Sequence, residues 1–136
     1  MSYNVFISHS WDYTDAYVKL ISLLNDAKYF DYKDYSAPKS DPLEIRNSYY
    51  YKSELRNKII VQMRPCSVVL VLAGVYSSYS DSIELEIEIA KSLGKPIIAV
   101  EPWGSERTSA VVKNAATRIV GWNTSSIIDA IREVSR

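Results

Sequence analysis

Ser67-Val68-Val69-Leu70-Val71-Leu72-Ala73 is an unbroken apolar run, rich in β-branched residues and without a single alternating polar position. A strand with one wet face alternates, so a run of this kind reads as a strand covered on both faces, the centre of a parallel sheet. Lys95-Pro96-Ile97-Ile98-Ala99-Val100 repeats the pattern, with Pro96 tolerable at its start. Upstream, Tyr3-Asn4-Val5-Phe6-Ile7-Ser8 is β-rich and runs into a small polar cluster, Ser8-His9-Ser10, which marks strand then loop. Phe30-Asp31-Tyr32-Lys33-Asp34-Tyr35 alternates aromatic and charged residues, as a half-exposed strand does, and Arg118-Ile119-Val120-Gly121-Trp122 is a short edge strand.

Helical periodicity fills the gaps. Tyr13, Ala16, Tyr17, Leu20, Ile21, Leu23 and Leu24 recur at helical spacing across 12–27. A second helix spans 53–63, with a start as early as Arg46 open, and Pro65 stops it. A third spans 81–93 with Gly94 as its C′ residue. A short helix near Val111 and a terminal one over 125–134 complete the set, while 36–42 and 102–109 are loops. Five alternations of strand and helix require a parallel sheet flanked by helices. Right-handed crossovers favour a doubly wound, flavodoxin-like α/β sheet of order 2-1-3-4-5, with helices on both faces. No repeat or linker interrupts the chain, so residues 1–136 are expected to form one domain.

Composition narrows the chemistry. Sixteen Lys and Arg balance sixteen Asp and Glu, which argues against nucleic acid or a membrane surface as partner. The longest apolar run is about half of the roughly 20 residues that a membrane span needs. One cysteine, Cys66, and no signal-like N-terminus make a reducing, cytoplasmic setting the expectation. One cysteine and one histidine, His9, cannot build a thiolate–imidazole zinc site. Carboxylates, hydroxyls and backbone are left. Eleven tyrosines against two phenylalanines form an unexplained surplus.

In doubly wound sheets ligands bind beyond the strand C-termini, beside the switch between the first and third strands. The segments there are 8–12, 36–42 and 74–82, and none carries G-x-G-x-x-G or a P-loop. The helix over 81–93 does carry an anomaly. With Ile83 at 0° and about 100° per residue, Ile87, Ala90, Leu93 and Gly94 form an inward arc from about 280° to about 40°. Glu84, Glu88, Lys91 and Ser92 collect between about 80° and 180°, but Glu86 falls at about 300°, on the apolar side. Burying an unpaired carboxylate costs several kcal/mol, roughly, so Glu86 has either a cationic partner or a cleft to face. A partly desolvated acid beside a cleft is a candidate functional group. A second acid across the cleft, as in glycosidases, would have to come from Asp12, Asp34 or Asp41. His9 stands at the mouth of the expected cleft, as a ligand contact or a cap on the helix that follows. Cys66 reads as a small core residue, Trp122 as packing, and Tyr49-Tyr50-Tyr51 as helix packing or a binding surface.

Four stretches together resemble the TIR-like domains of bacterial Thoeris anti-phage systems, the ThsB family. Residues 3–10, Tyr-Asn-Val-Phe-Ile-Ser-His-Ser, resemble the opening TIR box. Residues 77–90, with Glu86-Ile87-x-x-Ala90, resemble the helix that carries the family's catalytic acid. Gly94-Lys95-Pro96-Ile97-Ile98-Ala99-Val100 and Val120-Gly121-Trp122-Asn123 match further along. The resemblance implies cleavage of the nicotinamide–ribose bond of NAD⁺, as substrate rather than cofactor, with no metal. It also implies release of a cyclic or conjugated ADP-ribose signal that activates a separate effector. Glu86 takes the catalytic position, and Ser8, His9, Ser10, Ser36, Asp41, Tyr79 and Ser82 the substrate contacts. NAD-cleaving TIR domains often carry Trp four residues before the glutamate; Ser82 stands there, and Tyr79 is the candidate replacement surface. Two rival readings are a non-catalytic module that self-associates and a nucleoside deoxyribosyltransferase-like enzyme.

Overall fold

The computed structural model describes residues 2–8, 14–35, 45, 47–72, 81–101 and 110–135. The elements run β1 (Ser2–Ser8), α1 (Thr14–Asn25), β2 (Asp31–Asp34), α2 (Tyr49–Met63), β3 (Val68–Leu72), α3 (Asp81–Ser92), β4 (Ile97–Glu101), α4 (Ala110–Ala115), β5 (Arg118–Gly121) and α5 (Thr124–Val134). The five strands form one sheet of order β2-β1-β3-β4-β5, and every neighbouring pair is parallel. This is the doubly wound topology expected from the apolar runs.

All five residues of β3 are buried, as its unbroken pattern requires. Alternate side chains leave opposite faces of the sheet. Phe6, Val69, Val71, Ile97 and Ala99 pack with α2, α3 and Val112 of α4. Val5, Ile7, Val68, Leu70, Leu72, Ile98 and Val100 pack with Leu20 and Leu24 of α1 and with Ile127, Ile128, Ala130 and Ile131 of α5. Hence each face of the sheet has its own apolar layer. The outer strands β2 and β5 are largely exposed, in keeping with their alternating and short patterns.

Several boundaries differ from the sequence reading, for local reasons. Helix α2 begins at Tyr49 because Ser48 caps it, its side chain accepting from the Tyr51 N–H at 3.1 Å. Strand β4 begins at Ile97, since Pro96 has no N–H to donate. The Pro96 carbonyl still accepts from Val69 N–H at 3.0 Å. Helix α3 ends as expected in a Schellman closure. Gly94 adopts φ +68°, its N–H donates to Lys91 O, and Lys95 N–H donates back to Ala90 O at 2.9 Å.

Five of the described tyrosines lie at the rims of the two layers. Tyr3, Tyr17 and Tyr32 pack against one layer, and Tyr35 and Tyr51 against the other. Tyr3 and Tyr32 stack on Phe30 at 5.3 and 5.8 Å between centroids. The Tyr32 hydroxyl donates to Asn25 at 2.9 Å and that of Tyr17 to Asp34. A phenol suits such positions because its ring is apolar and its tip can remain hydrogen-bonded. Tyr49 and Tyr50 are exposed, while Tyr51 packs inward. Trp122 packs against the α1–α5 layer, and Cys66 is buried, its thiol pushed up to about 12 by burial. Among the described residues no helix is long and apolar enough to cross a membrane.

Candidate active site

Helix α3 buries a wider arc than Ile83, Ile87, Ala90 and Leu93 mark out. Ile83, Leu85, Ile87, Ile89 and Ala90 are all buried, while Glu84, Glu88, Lys91 and Ser92 are exposed. Leu85 and Ile89, at about 200° and about 240° on the wheel, extend the inward arc. Its middle then falls at about 300°. Glu86 occupies that middle and is 1% exposed.

Glu86 is no boundary residue reaching for solvent, and no Lys or Arg among the described residues pairs with it. The nearby guanidinium, Arg56 on α2, instead bonds Glu88 at 3.2 Å, on the solvent side of the same helix. Burial pushes the Glu86 carboxyl up to about 8, and the Ser8 hydroxyl draws it partly back down. Its carboxyl therefore gives up its proton far less readily than an ordinary glutamate.

Ser8 is the last residue of β1 and lies beside Val71 in the pairing with β3. It shares strand parity with Phe6, so its side chain leaves the sheet on the face that α3 covers. Ser8 is fully buried and is, with Glu86, the only polar or charged side chain buried among the described residues. The hydroxyl is near enough to act on the carboxyl, yet neither Ser8 Oγ nor Glu86 Oε2 completes a well-formed hydrogen bond with any described group. Two orphaned polar atoms in an apolar layer, on separate elements at the C-terminal end of the sheet's central strands, form the candidate site.

Of the other expected site residues, His9, Ser10, Ser36, Asp41 and Tyr79 lie outside the described residues, as does the Ser82 side chain. Asp34, a candidate second acid, is exposed on β2 and accepts from Tyr17. The pairing of Ser8 with Glu86 escaped the sequence reading, which ended the first strand at Ser8 and gave it a substrate contact, not a side-chain neighbour. The signal was available in the period-two register with Phe6. No group of three or more His, Cys, Asp or Glu among the described residues could hold a metal ion. An open groove of about 580 Å³ lies elsewhere, between the end of α1 and α5, lined by exposed charges of both signs such as Asp26, Lys28, Asp129 and Arg132.

Comparison with known proteins bears on this arrangement. A family model described as the Thoeris protein ThsB, TIR-like domain, matches residues 6–107, well over half of the chain and including both Ser8 and Glu86. No curated protein matches the sequence. Among solved structures, a 2-deoxyribosyltransferase from Bacillus psychrosaccharolyticus superposes with a TM-score of 0.55 at 12% identity, covering 91% of this chain and 89% of that one. The CMP N-glycosidase BcmB of Clostridium botulinum gives 0.53 at 16% identity, covering 95% and 98%. A signal receiver domain of a LuxO repressor protein from Vibrio parahaemolyticus also gives 0.53, at 11% identity, covering 99% and 91%. Likenesses at such identities speak to the fold, which plainly serves both enzymes and signal receivers.

Proposed function

The chain belongs to the Thoeris ThsB TIR-like family, and from that premise we propose that it breaks the nicotinamide–ribose bond of NAD⁺ with Glu86 as the catalytic residue. The product is an ADP-ribose-derived signal, cyclic or conjugated, that activates a separate effector in anti-phage defence. The observation that carries this reading is the carboxyl of Glu86, buried at the centre of the inward arc of α3 with no cationic partner among the described residues. A packing position would be filled more stably by an aliphatic side chain. Two of the proteins that share the fold, the deoxyribosyltransferase and the N-glycosidase, are by name enzymes of N-glycosidic bonds, which lends support.

The chemistry suits a lone acid. As the C–N bond breaks, its electron pair leaves with nicotinamide and positive charge develops on the ribose. A fixed carboxylate stabilises that charge through space and through the ribose hydroxyls, more strongly in a dry site than in water. The pyridinium charge of NAD⁺ and those hydroxyls favour the ionised form of Glu86, so binding the substrate itself draws off the proton that burial holds. Water or an adenine nitrogen then attacks the ribosyl carbon, and cyclisation follows where the site excludes water. His9, Ser10, Ser36, Asp41, Tyr79 and Ser82 supply substrate contacts in this reading, Tyr79 offering the aromatic surface that Ser82 cannot.

Mass spectrometry of NAD⁺ and ADP-ribose derivatives, in purified protein and in phage-challenged cells, tests the proposal. Glu86→Gln is expected to lower turnover about 10³-fold or more while the protein stays folded. Undiminished turnover in that variant overturns the assignment, and concentration-dependent assembly with no turnover under any trigger favours a non-catalytic module instead. The upward push on the Glu86 carboxyl also favours a second reading, in which a neutral acid protonates the departing base of an uncharged nucleoside. The two differ in sign. A required carboxylate makes kcat/KM rise with pH through an inflection near 8, whereas a required acid makes it fall there.

A further inference from the structure

We propose that Ser8 is the positioning residue of the site, its hydroxyl turning onto the Glu86 carboxylate and holding it in one orientation toward the ribose. This rests on the reading of Glu86 as catalytic, and it adds a residue from a different element to that reading. Three observations carry it. Ser8 is completely buried at the end of β1, a place where the neighbouring strand positions are apolar. Its parity with Phe6 directs it into the layer that α3 closes. Its hydroxyl has no other described partner, and the same is true of Glu86 Oε2. A hydroxyl buried to no purpose is destabilising, so a position of this kind is held by alanine or valine unless the oxygen has work to do.

Among the described residues the surrounding groups leave Ser8 as the one tuner. On α2 the charged side chains are exposed except Arg56, which is taken up by Glu88. Lys113 of α4 is exposed, β3 and β4 contribute only apolar side chains up to Glu101, and Tyr35 and Tyr51 pack at the margin of the layer. Cys66 precedes the N-terminal end of β3, away from the strand ends where Ser8 lies, and its thiol stays protonated. None of these shifts Glu86, which responds to burial and to Ser8.

The decisive experiment is a ¹³C NMR titration of the Glu86 side-chain carboxyl in the protein alone, assigned by its loss in Glu86→Gln. It is run on wild type, Ser8→Ala and Ser8→Thr. Ser8→Ala is expected to move the midpoint upward by about half a pH unit or more, because it removes a donor to the ionised form. Ser8→Thr, which keeps the hydroxyl on a residue suited to a strand, is expected to restore it. With NAD⁺, Ser8→Ala lowers kcat with little change in KM and moves the kcat/KM inflection in step with the NMR midpoint. An unchanged midpoint in a folded Ser8→Ala protein overturns the proposal, as does a midpoint that Ser8→Thr fails to restore. If Glu86→Gln leaves turnover intact while the Ser8 midpoint shift appears, it is the catalytic reading that has failed and not the coupling of the two side chains.

Discussion

On one face of the sheet α1 and α5 close over a layer in which every buried side chain described is apolar: Val5, Ile7, Leu20, Leu70, Leu72, Ile98, Ile127 and their neighbours. On the other, α2, α3 and α4 close over Phe6, Leu55, Ile59, Val69, Val71, Ile97 and Ala99 by the same rule, and then depart from it at Ser8 and Glu86. The first layer shows that a pair of helices closes on this sheet with no polar side chain buried between them among the described residues. The polar pair in the second is therefore no requirement of architecture. It stands at the strand ends where this topology opens its binding crevice, and it is held there against the preference of the core.

The sharpest way to break the comparison is to make the two layers alike. The carboxyl of Glu86 is raised from an ordinary 4.5 to about 8, so the folded chain binds its proton more tightly than the unfolded chain. Below about pH 4.5 both states are protonated and the position carries no penalty. Between there and pH 8 the unfolded state ionises first, and stability falls as pH rises. Glu86→Gln removes that titration. The variant is expected to exceed wild type by about 3 kcal/mol at pH 7, approaching about 5 kcal/mol above pH 9, and to match it near pH 4. Urea unfolding of both proteins across this range reads the difference directly, and a gap that does not grow with pH shows that Glu86 is not desolvated as described.

Removing an apolar side chain from the other layer should act with the opposite sign and without this slope. Leu70 is fully buried in β3 on the α1–α5 side. Leu70→Ala is expected to lower stability by about 3 kcal/mol, the usual sum of lost transfer energy and a residual cavity. Measured against wild type, the loss should be the same at pH 5 and pH 8, because no ionisable group is buried in that layer among the described residues. A pH-dependent loss would place a titrating group there and erase the distinction between the faces.

The contrast also explains what could be read in advance. The strand order was legible because Val68–Leu72 and Ile97–Val100 are apolar without alternation, which only a doubly covered parallel strand requires. Glu86 was legible because helical periodicity is strict enough to expose one misplaced charge. Its isolation was not, since a wheel cannot tell whether Arg56 reaches Glu86 or, as it does, Glu88 two positions along. Ser8 was legible as the last residue of the first strand and the first of the polar cluster Ser8-His9-Ser10, but that pattern does not say which way its side chain faces. The register β1 shares with β3 sets Ser8 opposite Val71, and its parity with Phe6 turns it into the layer under α3. The start of α2 likewise depended on one side chain, the cap of Ser48, rather than on periodicity.

The smallest expected effect isolates burial as the cause of all this, because it concerns an identical side chain on the same helix. Glu88 is two residues from Glu86, 64% exposed in its side chain, and bonded to Arg56 at 3.2 Å. An exposed pair of this kind contributes about 0.2–1 kcal/mol, since water screens both charges and two long side chains must be held in place. Glu88→Gln is therefore expected to lower stability slightly, by less than about 1 kcal/mol, and high salt should shrink even that. Glu86→Gln moves stability the other way and by several times as much, with a pH dependence that Glu88→Gln lacks. The same chemical change at a spacing of two residues thus reverses sign. Charge on α3 in general cannot account for such a reversal; only the difference in solvation between its two faces can.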